Sequence, residues 1–123
     1  MQNVADHYLA ERVMTASPAE LTAMLYDACC AHVRGAITRL QGGQGAEATP
    51  KLLKAQEIVL ELRTTLNPAA GPLAGQLDSL YTWTFSRLLD ASTKRDVAAA
   101  QEALDVLDGL RTAWRQACLA SAA

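Results

Sequence analysis

Apolar positions recur at three- and four-residue intervals along most of the chain, and no segment shows the strict alternation of a half-buried strand. The first stripe is Leu21, Leu25, Ala28, His32, Ala36 and Leu40, and it follows Ser17-Pro18-Ala19-Glu20. Ser17 can cap the free backbone donors, Pro18 suits the first helical position, and Glu20 can complete a capping box. The pattern predicts a helix over 17–41 that stops at Gln41-Gly42-Gly43-Gln44-Gly45, a flexible break. Thr49-Pro50 repeats the cap-plus-proline start for a helix over 50–66, with Leu52, Ala55, Val59, Leu62 and Leu66 as its stripe. Asn67-Pro68 ends it. A third helix over 70–92 places Leu73, Leu77, Leu80, Tyr81, Thr84 and Leu88 on one face. Lys94 and Arg95 suit a helix C-terminus and Asp96 the next N-cap, so a fourth helix is expected over 96–120. Its stripe is Val97, Ala100, Leu104, Leu107, Arg111, Trp114 and Cys118.

Helices of ~20 residues are about 30 Å long, and turn-length links favour antiparallel neighbours. The predicted fold is all-α: an antiparallel up-down four-helix bundle forming one domain over 1–123, with residues 1–16 as an N-terminal arm or short helix. Composition agrees. Half of the 123 residues are hydrophobic, mostly Leu and Ala, which are strong helix formers. A net charge of −2 and the lack of a basic run argue against nucleic acid as a partner. The N-terminus lacks the basic-then-apolar order of a secretory signal, and no apolar run approaches the roughly 18 residues of a membrane span. A protein that is not membrane-embedded, in the cytoplasm, is expected.

Candidate chemistry is sparse. Cys29, Cys30 and Cys118 lack C-x-x-C spacing and are expected to be reduced thiols acting as small hydrophobes. A di-iron bundle needs Glu-x-x-His pairs, and neither His7 nor His32 follows a glutamate by three residues. His32 is expected to be a hydrogen-bonded core residue. Gly43-x-Gly45-x-x-Ala48 loosely matches a dinucleotide fingerprint, but helix rather than strand precedes it and no phosphate-binding Lys-Ser/Thr follows. With no recognisable nucleophile, base and orienting acid, no catalytic residue, metal or cofactor is assigned, and an enzyme is not expected. Arg111, the one charge on a core arc, is expected to be a paired structural charge.

Hydrophobicity in excess of the core is the informative feature. On helix two, Leu53 and Leu60 fall about 100° from the centre of the main arc and make a second, shorter stripe, open to a partner or to the N-terminal arm. On helix four, Val106 and small residues lie at one margin of a broad arc, where a groove could admit another helix. Trp83 projects among Gln76, Ser79, Arg87 and Asp90, away from the third stripe. Contiguous apolar patches imply a partner, and a disordered apolar segment could fold against them. The candidate binding residues are therefore Leu53, Leu60, Trp83, Val106 and Leu110. A bundle that self-associates through the same stripes without cargo is the alternative.

A family resemblance narrows the partner. Tyr8, then Val13-Met14-Thr15-Ala16-Ser17-Pro18-Ala19-Glu20-Leu21 and Met24-Leu25-Tyr26-Asp27, resembles the opening of the flagellin export chaperone family FliS. The similarity continues through Lys54-Ala55-Gln56-Glu57-Ile58-Val59, Glu61-Leu62, Thr65-Leu66-Asn67, Leu80-Tyr81, Arg87-Leu88, Asp96 and Leu110-Arg111-Thr112-Ala113-Trp114. Ala28 stands where the family often has glycine, and the longer polar tail of many members is missing. The resemblance implies a cytoplasmic chaperone for the disordered C-terminal segment of flagellin, which would wrap the bundle and be kept from premature polymerisation. It also implies delivery of cargo to the export gate, a membrane protein whose cytoplasmic domain would meet the region around Tyr8 and Val13. A weak homodimer is compatible with this picture. Tyr26 and Tyr81 are expected at a bundle edge, and Trp114 in the core.

Overall fold

Ser17 starts the first helix by accepting a hydrogen bond from the Glu20 amide at 3.2 Å, with Pro18 in the first helical position. The structure, a computed structural model, describes residues 16–122. Helix α1 runs Pro18–Gln41 and ends at Gly42-Gly43, where Gly43 takes a φ of 74° that a side chain would strain.

Helix α2, Gly45–Thr64, starts at Gly45 and not at the expected Thr49-Pro50. Thr49 caps nothing; its hydroxyl donates to the Gly45 carbonyl inside the helix at 3.1 Å. Gly45 and Ala48 are buried, so packing recruits this turn into the helix. Pro50 sits near enough to the N-terminus that it forfeits one ladder bond without ending the helix. Gly45 is also where the two loops at this end of the bundle meet. A Cβ there would lie 2.5 Å from Cδ and Nε of Arg95, the left-handed C-cap of the next helix.

After α2, Asn67 caps a single 3-10 turn, Pro68–Ala70, through the Ala69 amide at 3.0 Å. Helix α3 therefore spans Pro72–Lys94, and α4 spans Val97–Ala122 with Asp96 accepting from the Ala99 amide at 3.2 Å. Each helix packs on its sequence neighbours, and α4 closes back onto α1. The result is an antiparallel up-down four-helix bundle, with no strand among the described residues. None of the described helices is long and apolar enough to cross a membrane.

The core changes character along its length. Near the α1–α2 loop it is built of Ala36, Ala48, Ala91 and Ala100, which let the helix backbones approach closely. Next come Val33, Leu52, Leu88 and Leu104, and each fully buried leucine contributes about 1.5–3 kcal/mol. The other half is more polar: Cys29, Cys30, Gln56, Thr84, Tyr26 and Tyr81. The two tyrosines, expected at an edge, are 3% and 2% exposed because their hydroxyls satisfy each other across the bundle at 2.5 Å. Burial raises both phenols above the ordinary tyrosine range. Burial likewise pushes the Cys29 thiol up to about 12 and raises Cys30, so both stay protonated and inert. Cys118 is half-buried.

Two further expectations fail. His32 is half-buried at the α1–α2 edge rather than in the core. Desolvation, with Lys51 and Lys54 nearby, lowers its pKa. Leu73 and Leu80 leave the buried stripe of α3, at 62% and 37% exposed. The expected stripe was wider than the arc that α2 and α4 can cover, and both leucines fall on its α4-ward margin.

Candidate functional site

The four seams between neighbouring helices differ in what covers them. Along α1 and α4, Asp27 pairs with Arg111 and Arg115, and Asp108 pairs with Arg34 and Arg111. Arg111 is thus a paired structural charge, held at 3.4 Å from Asp27 and 3.1 Å from Asp108. Along α1 and α2, Arg39 reaches Glu47 at 3.7 Å and the Lys51 stem lies over Gly35. Charged side chains roof both seams of α1. None of the exposed large hydrophobic residues belongs to α1.

The seams of α3 are different. Arg63 on α2 pairs with Asp78 on α3, which fixes the register of the antiparallel pair. One and three turns along from that pair, Leu60 and Leu53 of α2 come onto the seam, with Leu89 of α3 opposite Leu53. They are 50%, 45% and 45% exposed for Leu53, Leu60 and Leu89. Half-buried Phe85 forms the wall between them. At the Arg63–Asp78 end this seam opens into a cleft of about 490 Å³ beside Leu66, Pro72 and Gly75.

On the other side, Arg87 of α3 bonds Glu102 of α4 at 2.9 Å and fixes a second register. One turn on, Trp83 comes opposite Val106, and the next turn brings Leu80 to Leu110. Trp83 is 40% exposed, while Val106 and Leu110 are half-buried across the seam from it. Leu73 continues the line toward the start of α3. Among the described residues, six of the seven exposed large hydrophobic residues thus line the two seams of α3; the seventh, Leu119, is near the C-terminus.

The two grooves contain all five residues expected to bind cargo, with Leu53 and Leu60 in one and Trp83, Val106 and Leu110 in the other. Leu73, Leu80 and Leu89 join them although the sequence assigned two of these to the core and overlooked the third. Leu89 was findable: it lies beyond the apolar arc of its helix, next to buried Leu88. Tyr8 and Val13 lie outside the described residues. Among the described residues no His, Cys, Asp and Glu cluster could hold a metal ion.

A third concavity, about 580 Å³, separates the first turn of α1 from the last turns of α4. Trp114 forms one wall, its indole NH donating to the Ala19 carbonyl at 3.0 Å and its ring 6.5 Å from that of Tyr26. Trp114 is half-buried against the core and ties the two helix ends together.

The family model described as flagellar protein FliS matches residues 1–121. The chain belongs to the FliS family. A relative in Bacillus subtilis, named flagellar secretion chaperone FliS, is 33% identical over 95% of this chain and 87% of its own length. A relative of the same name in Salmonella typhimurium is 32% identical over 85% and 78%, respectively. A crystal structure described as a flagellar chaperone from bacteria superposes with a TM-score of 0.74 at 24% identity, covering 95% of this chain and 96% of that one. That likeness supports the bundle fold. FliS proteins are chaperones and not enzymes, and the exposed apolar side chains of this FliS chain lie along the seams of α3.

Proposed function

We propose that this FliS protein works in the cytoplasm, holding the disordered C-terminal segment of flagellin in the two grooves beside α3. The segment folds as amphipathic helices, setting apolar anchors between Leu53, Leu60 and Leu89 on one side and against Leu73, Leu80, Trp83, Val106 and Leu110 on the other. Covering that segment removes the surface through which flagellin subunits would pair too early. Delivery to the export gate, assigned to the region around Tyr8 and Val13 by family resemblance, belongs to the same proposal. The observation that carries the reading is the segregation of exposed apolar side chains: six line the seams of α3 and none lies on α1. Exposed leucine and tryptophan in continuous lines are a cost in water unless a partner covers them.

Calorimetric titration with a peptide of the flagellin C-terminus tests it. Micromolar or tighter binding with a large negative heat-capacity change is expected of coupled folding. Leu60→Asp should weaken binding by about tenfold or more while leaving the melting transition nearly unmoved. A folded protein that does not bind the peptide, and sediments as a tight dimer with or without it, would replace this reading with self-association.

A further inference from the structure

The floor of the α2–α3 groove is not wholly apolar. Gln56 lies three residues after Leu53 and four before Leu60, on the same side of α2 but turned toward the core. It is 5% exposed, and its Oε1 finds no hydrogen-bond partner among the described residues. Across the seam, the register set by Arg63 and Asp78 brings the Thr84–Phe85 turn of α3 alongside it. Thr84 is fully buried, and its Oγ1 has no partner either. That is unusual for this chain, because Thr38, Thr49, Thr82 and Thr93 each donate to the carbonyl four residues back. Thr84 lies about 120° around α3 from Asp78 and is turned into the bundle interior, so Gln56 is the orphaned group on the α3-ward side of α2, beneath the exposed leucines. A buried polar group without a partner destabilises a fold, so its presence calls for a compensating role.

We propose that Gln56 is the polar anchor of this groove. It sets the register of the bound segment by accepting a hydrogen bond from one hydroxyl or carboxamide side chain on that segment's apolar face. The inference rests on the proposed binding of the flagellin segment. The outer torsion of glutamine is soft, so a small rotation turns the carboxamide from the core toward the groove. A hydroxyl entering between the leucines can then donate to Gln56 Oε1 and satisfy it. A sliding helix would lose that bond while keeping most apolar contact, so leucines supply affinity and Gln56 supplies position. A single buried polar residue fixes register in coiled coils in the same way.

The test uses the full chain and flagellin C-terminal peptides in which each Ser, Thr, Asn and Gln is replaced singly by Ala. Against the wild-type protein, one replacement should weaken binding about tenfold and the others by no more than about twofold. Gln56→Met keeps the volume and removes the orphan acceptor, so it should fold at least as stably. It should bind the parent peptide about tenfold more weakly and no longer distinguish it from the sensitive variant. If the peptide series is flat, or Gln56→Met binds the parent peptide like wild type, the anchor is overturned while the grooves stand. If the parent peptide does not bind wild type at all, the proposed function fails first. Should Gln56→Met not fold, the peptide series alone decides.

Discussion

The seams beside α1 and those beside α3 are made by helices of similar length and composition, yet they are finished in opposite ways. Asp27, Arg34, Asp108, Arg111 and Arg115 lock α1 to α4 with interlinked charges. Arg39, Glu47 and the Lys51 stem cover α1 against α2. Beside α3, one ion pair marks each seam and leucines fill the remaining length. Exposed ion pairs add little stability, about 0–1 kcal/mol each, but they make a surface that needs no partner. The leucine seams are the reverse: they contribute to the core at their base and leave their outer edges exposed to water. The same bundle is roofed by charge on one side and left apolar on the other.

Truncating two leucines of one helix separates core from seam by the largest margin. Leu62→Ala, at a fully buried position, should cost about 2–5 kcal/mol in urea denaturation, whereas Leu60→Ala, at a half-exposed one, should cost under about 1 kcal/mol. Comparable losses would mean that Leu60 belongs to the core and that the α2–α3 groove is no groove. A smaller effect is expected on the closed side. Asp27→Asn removes the carboxylate shared by Arg111 and Arg115 and should lower stability by about 1 kcal/mol or less, an amount that fades in high salt. Flagellin-peptide affinity should stay the same; a large loss would place cargo on the α1–α4 seam. The smallest effect concerns His32 on the α1–α2 seam. Its folded-state pKa is lowered, chiefly by desolvation, so the unfolded chain takes up a proton first as pH falls below about 6.5. Its contribution is therefore intact above that pH and declines below it. His32→Gln should flatten the pH dependence of the melting temperature in that range, and an unchanged slope would show His32 to be freely solvated.

Local signals marked helix ends well where chemistry is local. Ser17 and Asp96 cap α1 and α4 through side-chain bonds that need only their own neighbours. Thr49-Pro50 misled because the same residues can sit inside a first turn when packing holds it, and burial of Gly45 and Ala48 was invisible in the pattern. Leu53, Leu60 and Trp83 stood out because each lies far from its stripe. Leu73 and Leu80 did not, since a helical wheel has no edge until its neighbours are in place. His32 shows the same limit from the other side: the wheel put it mid-stripe, but α2 meets α1 with Lys51 and Lys54 beside it. Tyr26 and Tyr81 could be buried only because each hydroxyl found the other from a different helix.

Periodicity, caps and composition determined by themselves that this chain makes four helices with more apolar surface than one bundle interior can hold. Ordered motifs along the chain pointed to its family. Only the tertiary structure decided which seams close and which stay open, because that depends on register. Arg63 opposite Asp78 and Arg87 opposite Glu102 set each leucine against its neighbours across α3. A side chain is core or groove according to what lies within a few ångströms of it, and sequence spacing fixes direction along one helix without fixing distance to the next.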